Sequence, residues 1–161
     1  MSTHELQLSK LKNLLENEKA NYSIFIDDFS FDTASEGAKN YGITMEEATP
    51  TLILKTKTGY YAVIIRANTR ISFKKLKIAL GVKELTMAEP ELVLSLTGAK
   101  VGQVGLINSE LPTIVDQQVL SNENCYGGCG VPKATLRIST ADLVRITQAK
   151  ILDFSEPRSL S

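Results

Sequence analysis

The sequence predicts one α+β domain with a mixed, mostly antiparallel sheet that is flanked by helices. Its 161 residues match the length of a single domain and are enough to bury a proper hydrophobic core. Apolar residues make up 43% of the chain and charged residues 22%, which is typical of a globular protein. Predicted helices fall between pairs of predicted strands, and this order differs from the strict strand–helix alternation of a parallel sheet.

The first half of the chain begins with a predicted helix and a predicted strand. Leucines at helical spacing predict an amphipathic helix over residues 3–19, and an apolar run predicts a strand over 22–26. A connector with Phe29 and Phe31 follows; these rings could line a pocket, although burial under the sheet is the stronger interpretation. Thr33 or Ser35 can then cap a short helix that closes at Gly42.

The most apolar strands come next, so we expect them at the centre of the sheet. They cover residues 51–55 and 60–65 and form a predicted hairpin that turns at 57–59. Ser72 caps a helix that ends at Gly81, and Glu89-Pro90 opens another that ends at Thr97-Gly98.

The last third is predicted to contain strands at 111–115, 134–138 and 149–154. Ser139, with Asp142 three residues later, resembles a capping box that opens a helix. Six of the ten glycines fall between Gly98 and Gly130. Residues 125–132 are too rich in glycine for a strand or helix interior, which predicts a loop whose backbone can approach a ligand closely. Gly102 and Gly105 form a second such loop, and together the two loops indicate a shared cleft. A tight loop without a ligand is the alternative.

Composition excludes several classes of function. The chain has 18 basic residues (Lys and Arg) and 18 acidic residues (Asp and Glu), so we do not expect it to bind DNA or RNA nonspecifically. His4 is the single histidine and lies near a terminus, which argues against a Ser-His-Asp or Cys-His mechanism. Residues 1–20 do not resemble a signal peptide and no apolar run approaches a membrane span, so we expect a cytoplasmic protein.

The two cysteines, Cys125 and Cys129, do not make a disulfide framework, and a zinc site would need two more ligands. Cys129 lies inside the glycine-rich stretch, where a lowered thiol pKa would allow a nucleophilic or redox role. A small buried side chain is the default interpretation of a free cysteine.

Several stretches, taken in order and spacing, resemble the YbaK family of free-standing aminoacyl-tRNA editing domains, which is related to the insertion domain of bacterial prolyl-tRNA synthetase. The resemblance extends from about Leu11 to Phe154. The stretches are Thr51-Leu52-Ile53-Leu54, residues 72–81, Met87-Ala88-Glu89-Pro90, Thr97-Gly98-x-x-x-Gly102, Thr113-Ile114-Val115-Asp116, Gly128-Cys129-Gly130-Val131-Pro132 and Leu136-Arg137-Ile138-Ser139.

The resemblance implies a partly closed sheet and a specific chemistry. It implies hydrolysis of the ester of a small mischarged amino acid on tRNA, with no metal and no cofactor. The implied partners are the aminoacyl-tRNA acceptor end and an aminoacyl-tRNA synthetase. Neither DNA nor a membrane is an expected partner. By position, Gly102 lines the reaction centre. The residues implied to contact the substrate are Thr51, Tyr126, Gly127, Gly128, Gly130 and Pro132.

The sequence departs from the family pattern at several positions. Pro50 stands where the family's signature lysine precedes the Thr-Leu pair. Lys55 shares a strand face with Thr51 and is our candidate for the missing amine, the alternative being an ordinary strand-end lysine. Tyr126 replaces an expected serine, and Thr33 replaces the aromatic residue of the cysteine-specific branch, which argues against cysteine-specific editing. A second hypothesis is therefore a deacylase-like module without turnover, which binds a charged tRNA end, a nucleotide or a synthetase.

Overall fold

A computed structural model describes residues 2–28 and 33–158 of the chain. Phe29 and Phe31 lie outside the described residues. The described helices are α1 Thr3–Asn17, α2 Ala34–Tyr41, α3 Phe73–Leu80, α4 Pro90–Thr97 and α5 Thr140–Thr147, with one 3-10 turn at Gln117–Ser121. The described strands are β1 Tyr22–Ile26, β2 Thr51–Thr56, β3 Tyr60–Ile64, β4 Thr69–Ile71, β5 Leu85–Met87, β6 Thr113–Asp116, β7 Asn124–Gly128, β8 Ala134–Ser139, β9 Lys150–Leu152 and β10 Ser155–Pro157.

The strands form three sheets, and most of their pairings are antiparallel. The largest sheet has the order β5-β2-β3-β6-β9, in which β6 lies parallel to both of its neighbours. The second sheet, β1-β8-β7, is wholly antiparallel, and β10 pairs with β4. This confirms the predicted α+β class and the central place of the hairpin β2–β3. In the described residues the sheets stay open at their edge strands, which corrects the expected partial closure. Two isolated bridges join Ala48 and Gly105, which lie outside the strands, to Tyr126 and Gly128 of β7.

The helix ends were readable from local sequence because side chains cap them. The hydroxyl oxygens of Thr33, Ser72 and Ser139 each accept a backbone N–H from the residue three positions later, at 3.1–3.2 Å. Such caps satisfy backbone donors that have no partner inside the helix. The predicted helix-closing glycines adopt positive φ at Gly42, Gly81 and Gly98.

The glycine-rich stretch differs from its prediction, because its first half is strand rather than loop. Gly127 and Gly128 belong to β7 and pair with Leu136 and Thr135 of β8. The glycines are needed there because other chain segments press against the strand, as the site geometry below shows. The short strands β4, β5 and β10 were not predicted either, since three residues are too few to show an alternating pattern.

A buried carboxylate attaches the C-terminal segment to the main sheet. Asp116, at the end of β6, is completely buried. Its Oδ1 accepts the backbone N–H groups of Phe154 and Ser155, both at 3.0 Å, and its Oδ2 accepts the Ser155 hydroxyl at 2.6 Å. A further N–H, from Gln118, reaches Oδ2 at 3.1 Å. Four hydrogen bonds thus compensate the burial of this charge.

Candidate active-site cleft

One cleft encloses about 210 Å³ between α2, the segment before β2, the loop before Gly105, and the facing ends of β7 and β8. Its walls combine small residues with a few polar side chains. The lining residues include Asp27, Tyr41, Pro50, Thr51, Gly102, Tyr126, Gly127, Gly128, Lys133 and Thr135.

The two glycine-containing segments meet at the cleft because Gly127 and Gly128 of β7 carry no side chain at the contact. A Cβ on Gly128 would lie 2.5 Å from the carbonyl oxygen of Val104, and one on Gly127 would lie 2.6 Å from Cγ of Leu106. The backbone N–H of Leu106 donates to the carbonyl of Gly128 at 3.0 Å. Gly102, in the same loop, has a φ of +89°. The predicted shared cleft is therefore confirmed in its geometry.

The segment before β2 reaches the cleft by pairing with Tyr126 of β7. The N–H of Thr49 donates to the carbonyl of Tyr126 at 2.8 Å, and the N–H of Tyr126 donates to the carbonyl of Glu47 at 3.0 Å. This pairing brings Pro50 and Thr51 into the wall. Thr51 is only 7% exposed, and its Oγ1 has no hydrogen-bond partner in the described residues. An unpartnered buried hydroxyl is costly, so it is a strong candidate for a ligand contact.

The structure brings together five of the eight residues singled out from the sequence. Those in the cleft wall are Gly102, Thr51, Tyr126, Gly127 and Gly128. Gly130 and Pro132 are not part of the wall. Gly130, with a φ of +86°, instead lies against the second loop, where a Cβ on Gly105 would come within 3.1 Å of its nitrogen.

Lys55 lies apart from the cleft. It is exposed near the far end of β2, four residues from Thr51, which corresponds to about 13 Å along a strand. Its side chain lines a separate surface depression with Thr86 and Glu89. Alternation predicts that Lys55 and Thr51 share a strand face, but Lys55 is not among the residues that line the cleft.

Sequence reasoning missed the charged residues of the cleft, Asp27 and Lys133. Asp27 is half-buried, and its carboxylate accepts hydrogen bonds from the hydroxyls of Tyr41 and, at 3.1 Å, of Thr135. Burial, followed by the hydrogen bond to Asp27, raises the pKa of Tyr41 to about 12, so this hydroxyl stays protonated and donates. The available signals were an acidic residue directly after an apolar strand and a lysine directly after Pro132.

The thiols do not have the lowered pKa that a nucleophilic or redox role requires. Burial, together with the negative charge of Asp27, raises the pKa of Cys129 to about 12. Burial also raises the pKa of Cys125, whose Sγ lies 3.3 Å from the Thr140 hydroxyl. Both are protonated near neutral pH, which corrects the idea of an activated thiolate.

Within residues 2–28 and 33–158, no group of three or more His, Cys, Asp or Glu side chains is arranged to hold a metal ion. No helix there combines the length and apolar character that crossing a membrane requires.

Comparison with known proteins identifies the family. The family model of the aminoacyl-tRNA editing domain matches residues 30–146. The chain belongs to this family. This confirms the resemblance on which the sequence analysis relied.

Relatives of the chain include proline–tRNA ligases. The enzyme of Thermoanaerobacter sp. (strain X514) is 34% identical over 100 residues, which is 60% of this chain and 18% of the ligase. That of Caldicellulosiruptor bescii is 28% identical over 129 residues, which is 80% of this chain and 22% of the ligase. The matched part of this editing domain thus corresponds to about a fifth of the length of these relatives.

Two solved structures share the fold over nearly their entire length. The hypothetical protein APE2540 superposes with a TM-score of 0.85 at 30% identity, covering 91% of this chain and 99% of that one. A candidate trans-editing enzyme for prolyl tRNA synthetase superposes with a TM-score of 0.80 at 23% identity, covering 97% and 99%. At that identity the second likeness establishes the fold alone.

Proposed function

We propose that the protein is a trans-acting aminoacyl-tRNA deacylase, which hydrolyses the ester between a small mischarged amino acid and the terminal adenosine of tRNA. The observation that carries the proposal is the meeting of two glycine-containing segments at one cleft in an editing-domain chain. The acceptor end of tRNA is then the partner, a synthetase is the second partner to consider, and the cytoplasm is the expected compartment.

The proposed reaction needs little from side chains, because an aminoacyl ester is already activated. Water attacks the acyl carbon, the bond from that carbon to the ribose oxygen breaks, and the ribose oxygen takes up a proton. Backbone N–H groups near Gly102 and Gly128 are the proposed donors to the oxyanion that develops. One such donor typically contributes a factor of about 10²–10³ in rate. Thr51, with its unpartnered hydroxyl, is the proposed hydrogen-bonding contact to the bound aminoacyl end.

A binding module without turnover is the second candidate, and Pro50 is the observation that favours it. Pro50 lines the cleft. By the resemblance it stands where the family's signature lysine is expected, and proline brings neither a charge nor an N–H. Lys55 lines a separate depression rather than the cleft, which argues against it as a substitute for that amine. The exposed Lys133 does line the cleft, so it is the residue to test for that role.

The test is a metal-free deacylation assay with labelled Ala-, Ser- and Cys-tRNA. We expect loss of label from at least one of them well above the rate in buffer. Gly102→Ala should lower that rate at least tenfold, because alanine strains a position with φ +89° and adds bulk inside the cleft. Gly81→Ala is the matched control, since it also places alanine at a positive φ, here +68° at a helix end, with nothing within 4 Å of the added Cβ. Intact label with every substrate would reject the deacylase, and retained binding of charged tRNA would then favour the second candidate.

A further inference from the structure

We propose that Asp27 receives the α-ammonium group of the aminoacyl ester and thereby restricts the cleft to substrates with a free α-amine. This inference rests on the proposed function and names the substrate group that one wall of the cleft recognises.

The position of Asp27 is fixed by the sheet that carries it. It directly follows β1, whose last residue, Ile26, pairs with Ala134 at the start of β8. The backbone N–H of Asp27 donates to the carbonyl of Lys133 at 2.8 Å. The carboxylate is therefore held at a set place in the cleft wall rather than on a free loop.

Among residues 2–28 and 33–158, the hydrogen-bond partners of the Asp27 carboxylate are neutral. The hydroxyls of Tyr41 and Thr135 each donate to one of its oxygens, which uses two of about four acceptor positions. No ion pair of residues 2–28 and 33–158 includes Asp27. The nearby Cys129 thiol is protonated, and the exposed Lys133 lines the same cleft without reaching ion-pair distance. A half-buried negative charge with spare acceptor positions thus faces the space where the substrate would lie.

An aminoacyl ester supplies the missing counter-charge. Its α-ammonium is two bonds from the carbonyl carbon that water attacks, so holding the ammonium also orients the acyl group. An ammonium-to-carboxylate hydrogen bond is short, about 2.7–2.9 Å, and about twice as strong as a neutral one. A cleft built in this way would reject esters whose α-amine is acylated, which includes peptidyl-tRNA, because they leave the carboxylate desolvated and unpaired.

Binding of two matched probes tests the inference without requiring turnover. The probes are 3′-deoxy-3′-(L-alanylamino)adenosine and its lactoyl counterpart, in which a hydroxyl replaces the ammonium. We expect wild-type protein to bind the alanyl probe at least tenfold more tightly in calorimetry. In Asp27→Asn this preference should fall below about twofold. Equal binding of both probes by wild type, binding of neither, or a preference that survives in Asp27→Asn would each overturn the inference.

Deacylation of Ala-tRNA and lactyl-tRNA separates this role from general-base catalysis. If Asp27 binds the ammonium, Asp27→Asn slows the hydrolysis of Ala-tRNA at least tenfold and does not slow that of lactyl-tRNA, which lacks the ammonium. If the variant slows both equally, Asp27 acts on the water instead and the inference fails. Asp153→Asn, on an exposed aspartate near Lys75, controls for the loss of one negative charge. If wild type hydrolyses neither of these esters and also leaves Ser- and Cys-tRNA intact, the proposed function is rejected, while the probe preference still decides the role of Asp27.

Discussion

Replacing Gly128 by alanine should force apart the two segments that form the cleft. The added Cβ would lie 2.5 Å from the carbonyl oxygen of Val104 and 3.1 Å from that of Gln103. Both obstacles are backbone atoms, so no side-chain rotation can relieve the contact. The loop must retreat by several tenths of an ångström, and the 3.0 Å bond from the Leu106 N–H to the Gly128 carbonyl must lengthen with it.

The expected loss of unfolding free energy is about 2–4 kcal/mol. Overpacking of this kind costs about 1–3 kcal/mol, and a lost hydrogen bond adds about 1 kcal/mol. For a domain of this size each kcal/mol lowers Tm by about 2–4 °C, so we expect a fall of roughly 5–15 °C. Deacylation and probe binding should fall as well, because the displaced segments form the cleft wall.

Thermal unfolding followed by circular dichroism measures this loss, with Gly59→Ala as the matched control. Gly59 lies in the turn between β2 and β3, and nothing stands within 4 Å of a Cβ added there. That variant should keep its Tm, or gain from reduced freedom of the unfolded chain by up to about 1 kcal/mol. If Gly128→Ala has the same Tm as Gly59→Ala, the close backbone approach does not constrain this strand and the reasoning is wrong.

Further variants test individual residues. Thr51→Val should weaken binding of the alanyl probe while leaving urea stability unchanged or raised by about 1 kcal/mol, because it removes an unpartnered buried hydroxyl; parallel losses of both would show that the hydroxyl is structural. Lys55→Ala should deacylate within twofold of wild type, since the residue lies outside the cleft; a larger loss would return it to the site. Asp116→Asn should lower urea stability by about 2–4 kcal/mol, because an amide nitrogen would face backbone or hydroxyl donors; an unchanged midpoint would contradict this. Because the pKa of Cys129 is raised to about 12, its thiol should react with iodoacetamide at pH 8 orders of magnitude more slowly in the folded than in the urea-unfolded protein. The thiol of the unfolded chain ionises near pH 9, whereas the buried thiol of the folded protein stays protonated until about pH 12. The free energy of unfolding is therefore unaffected by this thiol below about pH 9 and falls as pH rises from 9 toward 12. Cys129→Ala should reduce this alkaline loss of stability.

Local sequence was sufficient wherever a structure is decided by neighbours along the chain. The caps at Thr33, Ser72 and Ser139 and the closing glycine Gly81 mark helix ends through hydrogen bonds and backbone angles within a few residues. The hairpin of β2 and β3 was equally readable, since alternation and a turn signal lie side by side. The ordered glycine and proline motifs also indicated the editing-domain family.

Only the tertiary structure decided how the cleft is composed, because its walls come from segments far apart in sequence. In the sequence, Gly127 and Gly128 indicate a loop. The structure shows that Leu106 and Val104 pack against them, which explains why a strand at this position must lack side chains. The cleft's carboxylate comes from Asp27, whose hydroxyl partner Thr135 is 108 positions away, and no local pattern encodes that meeting. Residue type and periodicity therefore determine the elements and the family, whereas the long-range pairing of β1, β7 and β8 determines which side chains line the cleft.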